Sequence, residues 1–88
     1  MSYKIEFSDI SLKNLRKLES LAKKQILTYI SDVLAKIENP RLLGKPLTGN
    51  LGEFWRYRSG HFRILCKIQD TKLTVLIVKI AHRKDVYD

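Results

Sequence analysis

Hydrophobic and polar side chains alternate near the start of the chain and then change to a helical period. Over residues 3–7, three apolar side chains alternate with Lys4 and Glu6, which predicts a short strand with one buried face. Ser8 or Asp9 can cap the helix that follows, because either side chain can accept from the N–H groups of a first helical turn. The chain is therefore expected to open with a strand followed by a helix.

Two helical stripes come next. Leucines recur every three residues over 12–18, which predicts the first helix. Apolar side chains over 26–37 follow the offsets of a single helix face, and they predict a second helix that begins near Ser20. Asn39-Pro40 ends this helix, because the residue before a proline avoids the helical conformation.

Glycine and proline interrupt the pattern over residues 41–52, which predicts a loop of about a dozen residues, a length often associated with function. Three apolar segments follow at residues 54–58, 62–69 and 72–80. The short turns between them predict antiparallel hairpins. Both faces of the last segment are apolar, so we expect this strand inside the sheet.

The element order β-α-α-β-β-β predicts an α+β fold, with two N-terminal helices on one face of a small, mainly antiparallel four-stranded sheet. Eighty-eight residues suffice for one modest core, so we expect one domain over residues 1–88. The sequence has no run of 18 apolar residues and no apolar signal region near its start, so we expect no membrane segment. The lone cysteine, Cys66, cannot form an internal disulfide, and it is expected to be inert packing in a cytoplasmic protein.

The charge balance indicates the class of partner. Seventeen Lys and Arg residues stand against nine Asp and Glu, for a net charge of +8. So strong an excess in a small domain favours a polyanionic partner, and nucleic acid is the usual one. A generic basic protein with solvated lysines is the alternative that charge alone leaves open.

Arginines concentrate on one predicted face of two neighbouring strands. Arg56 and Arg58 alternate with Trp55 and Tyr57, while Arg63 lies opposite the apolar face of the next strand. If the hairpin register brings these faces together, three guanidiniums converge, and acids, water or an anionic ligand must offset their mutual repulsion. Few acids are near in the sequence, and Glu53 is the main one. Guanidiniums bind phosphate oxygens bidentately, so the pattern predicts a phosphate site. We expect the two aromatic residues to pack in the sheet.

The tail carries the second group of polar side chains. An imidazole, a guanidinium, an ammonium and a phenol occur within six residues, at His82, Arg83, Lys84 and Tyr87. Alone, such a tail is also typical of a solvated C-terminus. No cysteine pair and no acidic or histidine cluster has ligand spacing, so we expect no metal and no cofactor.

Together these segments resemble a known family. Residues 54–65, FWRYRSGHFRIL, and residues 82–87, HRKDVY, resemble the RelE branch of the RelE/ParE toxin superfamily. The resemblance includes ENP at 38–40 and LTG at 47–49, and it covers essentially the whole chain. It implies a toxin of a type II toxin–antitoxin system that is a ribosome-dependent, metal-independent endoribonuclease, cutting translated mRNA by 2′-OH attack on the adjacent phosphate.

The resemblance also implies roles for individual residues. Arg63 and Arg83 resemble the family's phosphate-stabilising arginines, and Tyr87 resembles its catalytic tyrosine. Arg56 stands where relatives often carry lysine, and Phe54 where some carry a basic residue. Because arginine stays protonated, it is a poor base. We therefore expect proton transfer from Tyr87 or His82. Further phosphate or RNA contacts are expected from Arg58, His61, Lys45, Arg41 and Lys84.

The partners implied are a cognate antitoxin, the ribosome and mRNA, with the toxin monomeric when alone. The antitoxin is expected to cover the basic face or the helices with acidic and apolar residues. Three alternatives stay open: a ParE-like inhibitor of DNA gyrase, a non-catalytic nucleic-acid-binding module, and a degenerate toxin kept as an antitoxin-bound regulator.

Overall fold

A mixed sheet forms one layer of the fold, and two helices form the other. The computed structural model describes residues 3–49 and 52–86. Its helices are α1 (Asp9–Arg16) and α2 (Ser20–Tyr29). Its strands are β1 (Lys4–Phe7), β2 (Lys45–Pro46), β3 (Trp55–Ser59), β4 (Phe62–Gln69) and β5 (Thr74–His82). None of the helices in this part of the chain has the length and apolar character needed to cross a bilayer.

The strands lie in the order β1-β5-β4-β3-β2, with β1 parallel to β5 and the other pairs antiparallel. The predicted α+β class is confirmed, and β5 lies inside the sheet as expected. The predicted count of four strands was one short. The additional strand, β2, lies within the predicted loop, where Lys45 pairs with Arg56 and Pro46 with Trp55. Two residues are too few to show an alternating pattern, and proline is tolerated at the outer edge of a sheet.

Helix α1 begins as its sequence predicts. The Ser8 hydroxyl accepts from the N–H of Ser11 at 3.0 Å and donates to the carbonyl of Val78 at 2.8 Å. Further along α1, the side-chain oxygen of Asn14 accepts from the N–H of Ile80 at 3.0 Å. Strand β1 pairs only with residues 74–77 of β5. The side chains of Ser8 and Asn14 therefore support the second half of β5, which leads to the polar tail.

Helix α2 is shorter than the apolar stripe predicts. It ends at Tyr29, and the chain continues as a single π-helical segment, Ile30–Leu34, in which the N–H of Ala35 donates to the carbonyl of Ile30 at 2.8 Å. This wider turn keeps Ile26, Ile30 and Leu34 all buried. Apolar spacing alone does not separate an α-helix from a helix that widens by one residue.

The core lies between the helices and one face of β3, β4 and β5. Tyr57 and Cys66 are fully buried there, and Trp55 packs against the same cluster, so both aromatic residues and the cysteine are packing residues as predicted. Burial raises the pKa of both the Tyr57 phenol and the Cys66 thiol. The Tyr57 hydroxyl donates to the Pro40 carbonyl at 2.6 Å, and the Trp55 indole donates to the Leu43 carbonyl at 2.7 Å. These two bonds hold the segment before β2 against β3.

Candidate nucleic-acid interface

The β3–β4 hairpin places the predicted arginines on one face. Arg58 pairs directly with Arg63, while Tyr57 pairs with Ile64 and both of these are buried in the core. Directly paired residues share a face, and successive residues alternate between faces. Arg56, Arg58 and Arg63 therefore lie together on the face away from the helices. We call this surface, with its neighbours Lys45 and Arg83, the arginine face.

Strand β5 brings Arg83 to the same region. Arg63 pairs with the small residue Ala81, and the N–H of Arg83 donates to the carbonyl of His61 at 2.7 Å. Partial desolvation and the charges of Arg58, Arg56 and Arg83 lower the pKa of Arg63. The four guanidiniums are therefore close enough for their charges to act on Arg63.

Three guanidiniums of the arginine face take no part in the ion pairs of the described residues. Among residues 3–49 and 52–86, the ion pairs join Arg41 to Asp70 and Lys67 to Glu53, and neither includes Arg58, Arg63 or Arg83. The Arg63 guanidinium donates instead to the carbonyl oxygens of Gly60 and Phe62, at 3.3 and 3.1 Å. These two bonds hold Arg63 beside the hairpin turn. Guanidiniums that form no ion pair with the carboxylates of the described residues are suited to bind phosphate.

A cleft adjoins this face at the outer edge of β3. Lys45 pairs with Arg56 across β2 and β3, the two strands at this edge of the sheet. The cleft has a volume of about 290 Å³. Its lining comprises Tyr29, Leu43, Gly44, Lys45, Arg56 and Arg58. Lys45 is thereby placed beside the arginines, as the predicted RNA contact requires.

Arg41 lies elsewhere. Its guanidinium forms two hydrogen bonds with the Asp70 carboxylate, at 2.9 and 3.0 Å, and Tyr3 donates to the same carboxylate. Hydrogen bonds from Arg41 and Tyr3 lower the pKa of Asp70. Asp70 follows the C-terminal end of β4, whereas Arg63 is near its N-terminal end. The structure therefore does not bring Arg41 to the arginine face.

The two histidines stack on each other beside the tail. Their ring centroids are 6.0 Å apart, and the His82 ring contacts the Phe62 ring edge-on at 5.6 Å. His82 pairs with Phe62, which packs against the core, so its imidazole lies on the helix side of the sheet. Its Nδ1 accepts from the N–H of Lys84 at 3.3 Å. His82 is thus separated by the sheet from the arginines with which sequence reasoning grouped it.

The remaining predicted site residues have different positions. His61 and Lys84 are exposed, at the hairpin turn and in the short tail helix Arg83–Asp85 respectively. Tyr87 lies outside the described residues. Within the described ranges, no three His, Cys, Asp or Glu side chains are grouped so that they could hold a metal ion.

Sequence reasoning missed Tyr29 and Gly44 as lining residues of the cleft. Tyr29 belongs to the apolar stripe of the second helix, so its pattern indicated only core packing. Gly44 has a φ of +72°, and a Cβ there would lie 2.4 Å from the carbonyl oxygen of Arg56. A glycine two residues before a proline was the available signal, but it indicated only a turn.

Comparisons with known proteins agree over nearly the whole chain. A family model described as the ParE toxin of the type II toxin–antitoxin system, parDE, matches residues 5–87. The toxin RelG of Mycobacterium tuberculosis is 30% identical over 87 residues, covering 99% of this chain and 98% of that protein. The mRNA interferase toxin RelE of Escherichia coli K12 is 28% identical over 85 residues, covering 96% of this chain and 86% of that protein.

Solved structures give the same result at the level of the fold. The toxin–antitoxin complex RelBE2 of Mycobacterium tuberculosis contains a chain with a TM-score of 0.85 and 28% identity, covering 94% of this chain and 93% of that one. The isolated RelE toxin of Escherichia coli gives a TM-score of 0.70 at 19% identity, covering 92% of this chain and 84% of that one. At that lower identity, the likeness concerns the fold alone.

Proposed function

We propose that this chain, which belongs to the ParE toxin family of type II toxin–antitoxin systems, is a ribosome-dependent endoribonuclease that cuts translated mRNA. Family membership makes it a toxin of the RelE/ParE group. Relatives named mRNA interferases and the arginine face together favour RNA cleavage over other toxic activities. We expect this action in the cytoplasm, where translating ribosomes and their mRNA are found.

The observation that carries the proposal is the pairing of Arg58 with Arg63 beside Arg83, without an internal carboxylate partner for these three in the described part of the chain. In the proposed reaction the ribose 2′-oxygen bonds to the adjacent phosphorus and the bond from phosphorus to the 5′-oxygen breaks. The products are a 2′,3′-cyclic phosphate and a 5′-hydroxyl. Preorganised guanidiniums stabilise the extra negative charge of the pentavalent phosphorane.

Proton transfer requires other groups. A base removes the 2′-hydroxyl proton, and an acid gives a proton to the departing 5′-oxygen. Arginines supply charge but not a base. We assign the proton-transfer role to Tyr87, four residues beyond Arg83, since the imidazole of His82 lies on the other side of the sheet. Arg56 and Arg58 then bind the phosphates next to the cleaved one.

We propose a cognate antitoxin as the protein partner. Similar chains have been solved as complexes of toxin and antitoxin, among them RelBE2 of Mycobacterium tuberculosis and the RelE–RelB complex of Pyrococcus horikoshii. An antitoxin that places carboxylates on the arginine face would compete directly with RNA, because both ligands need the same guanidiniums.

Mapping of mRNA ends tests the proposal. The chain is expressed under tight control, and new 5′ ends are compared with and without translation for the wild type, Arg83→Ala and Arg41→Ala. Cuts inside translated codons are expected in the wild type and in Arg41→Ala, because Arg41 lies at the other end of the sheet. They should disappear in Arg83→Ala.

Other outcomes identify the alternatives. If toxicity persists in Arg63→Ala and Arg83→Ala, with altered DNA supercoiling and intact mRNA, the chain is a gyrase inhibitor. If the chain binds RNA in a salt-sensitive manner yet yields no cut product, it is a binding module or a degenerate toxin.

A further inference from the structure

The cleft at the outer edge of β3 combines an aromatic side chain with cations. We propose that it is a subsite for one nucleotide of single-stranded RNA next to the cleaved bond, with the base against Tyr29 and the phosphate on Lys45 and Arg58. The proposal rests on the function proposed above and adds the position at which a neighbouring nucleotide is held.

The walls of the cleft are fixed by hydrogen bonds on its loop side. The Trp55 indole donates to the Leu43 carbonyl at 2.7 Å, and the Tyr57 hydroxyl donates to the Pro40 carbonyl at 2.6 Å. Gly44 brings its backbone directly against β3, since the space that a Cβ would need is occupied by the carbonyl of Arg56. The cleft is therefore preformed, as small-ligand sites usually are.

The lining suits a nucleotide. Tyr29 is half-buried, packs against the core and also lines the cleft. Stacking of a base on an aromatic ring, with cations along the backbone, is the usual means of holding single-stranded nucleic acid. A volume of about 290 Å³ lies just below the range of drug-sized pockets and is suited to one base with its sugar.

The position of the cleft fits a substrate that extends from the arginine face. Arg58 pairs with Arg63, and Arg56 lies on the same face two residues earlier along β3. Same-face neighbours on a strand are about 6.6 Å apart, which is comparable with one nucleotide step in an extended RNA. Lys45 stands opposite Arg56 and so continues the row of cations to the cleft. This row favours a phosphate backbone over an isolated carboxylate of a protein partner.

A binding cycle tests the subsite. The probes are short, fluorescently labelled single-stranded RNAs, 2′-O-methylated so that they cannot be cut, each with one abasic position. With the wild type at low salt, loss of the base at one flanking position is expected to weaken binding about tenfold. In Tyr29→Leu, which retains an apolar side chain for packing, the intact RNA should bind about tenfold more weakly. The abasic position should then cause no further loss of affinity in this variant.

Two lysine variants provide a matched pair that does not disturb the core. Lys45→Gln should weaken binding of every probe, because it removes a cation beside the cleft. Lys72→Gln should leave binding unchanged, because Lys72 is exposed in the turn at the far end of β4. Thermal unfolding of each variant establishes that it is folded.

The proposal is overturned if the abasic penalty is equal in the wild type and Tyr29→Leu, if no position shows a penalty, or if the RNA does not bind. It is also overturned if Tyr29→Leu weakens only the antitoxin complex, since the cleft then serves a protein. If the abasic penalty disappears in Tyr29→Leu but cellular mRNA is not cut, the subsite is retained and the nuclease activity is rejected. If cellular mRNA is cut but the abasic penalty is the same in the wild type and Tyr29→Leu, only the subsite is rejected.

Discussion

At the scale of single residues, His82 is placed to orient the tail. Its Nδ1 accepts from the N–H of Lys84, and its ring is fixed between His61 and Phe62. We predict that His82→Ala lowers the cleavage rate several-fold, because the short helix that begins at Arg83 loses its cap. His82→Asn should retain most of the rate, because asparagine is a good N-cap residue.

The cleavage rate measured across pH separates this positioning role from a role as base. If His82→Asn is as inactive as His82→Ala and loses a limb of the pH–rate profile that the wild type shows, the imidazole transfers the proton itself. An unchanged profile in His82→Asn supports the positioning role.

The thiol of Cys66 gives a second prediction at this scale. The side chain is fully buried, and burial raises the pKa of the thiol because it disfavours the thiolate. The native protein should therefore resist iodoacetamide even at mildly alkaline pH, where a free cysteine reacts. Mass spectrometry should detect alkylation only after denaturation. Rapid labelling of the native protein would mean that the sheet opens locally around β4.

At the scale of elements, Gly44 determines whether β2 can lie against β3. Both Gly44 and Gly49 have positive φ, but a Cβ on Gly49 would meet no atom of the described residues within 4 Å. We predict that Gly49→Ala lowers the free energy of unfolding by about 1–2 kcal/mol, the cost of the left-handed conformation. Gly44→Ala should cost more, because its Cβ also collides with the Arg56 carbonyl. Urea unfolding measures both values, and equal losses would contradict the close approach.

The elements that sequence predicted are those with enough residues to show a period. The alternation in β1, β3 and β4, the Ser8 cap and the turn at Ser59-Gly60 each have a local physical cause. The short hairpin turn also sets the register that brings Arg58 opposite Arg63. Strand β2 could not be predicted, because its two residues depend on pairing with β3.

A bulge explains why the position of His82 could not be predicted. Val75 and Ile77 face the core, so simple alternation would put His82 on the arginine face. The β4–β5 register shifts between Leu65 and Cys66. Beyond this shift, the β5 side chains that would face one side of the sheet by simple alternation face the other. Ile80 and His82 consequently face the helices. A single extra residue in one strand has this effect and leaves no clear sign in the pattern.

At the scale of the whole molecule, the position of the charge matters more than its total. The net charge of +8 attracts any polyanion, but five cations are gathered on the arginine face: Lys45, Arg56, Arg58, Arg63 and Arg83. An RNA strand bound there releases counterions from the phosphates that these cations neutralise. The affinity should therefore depend on salt to an extent set by this face.

We predict that the logarithm of the dissociation constant for a short single-stranded RNA rises with the logarithm of salt concentration with a slope of about 3.5, or about 0.7 for each of five contacts. Arg58→Gln should reduce the slope by about 0.7. Lys72→Gln, at the far end of β4, should leave it unchanged. Fluorescence anisotropy over a salt series measures all three slopes. If the slope falls equally in both variants, RNA binding depends on the total charge of the protein, and the arginine face is not the RNA site.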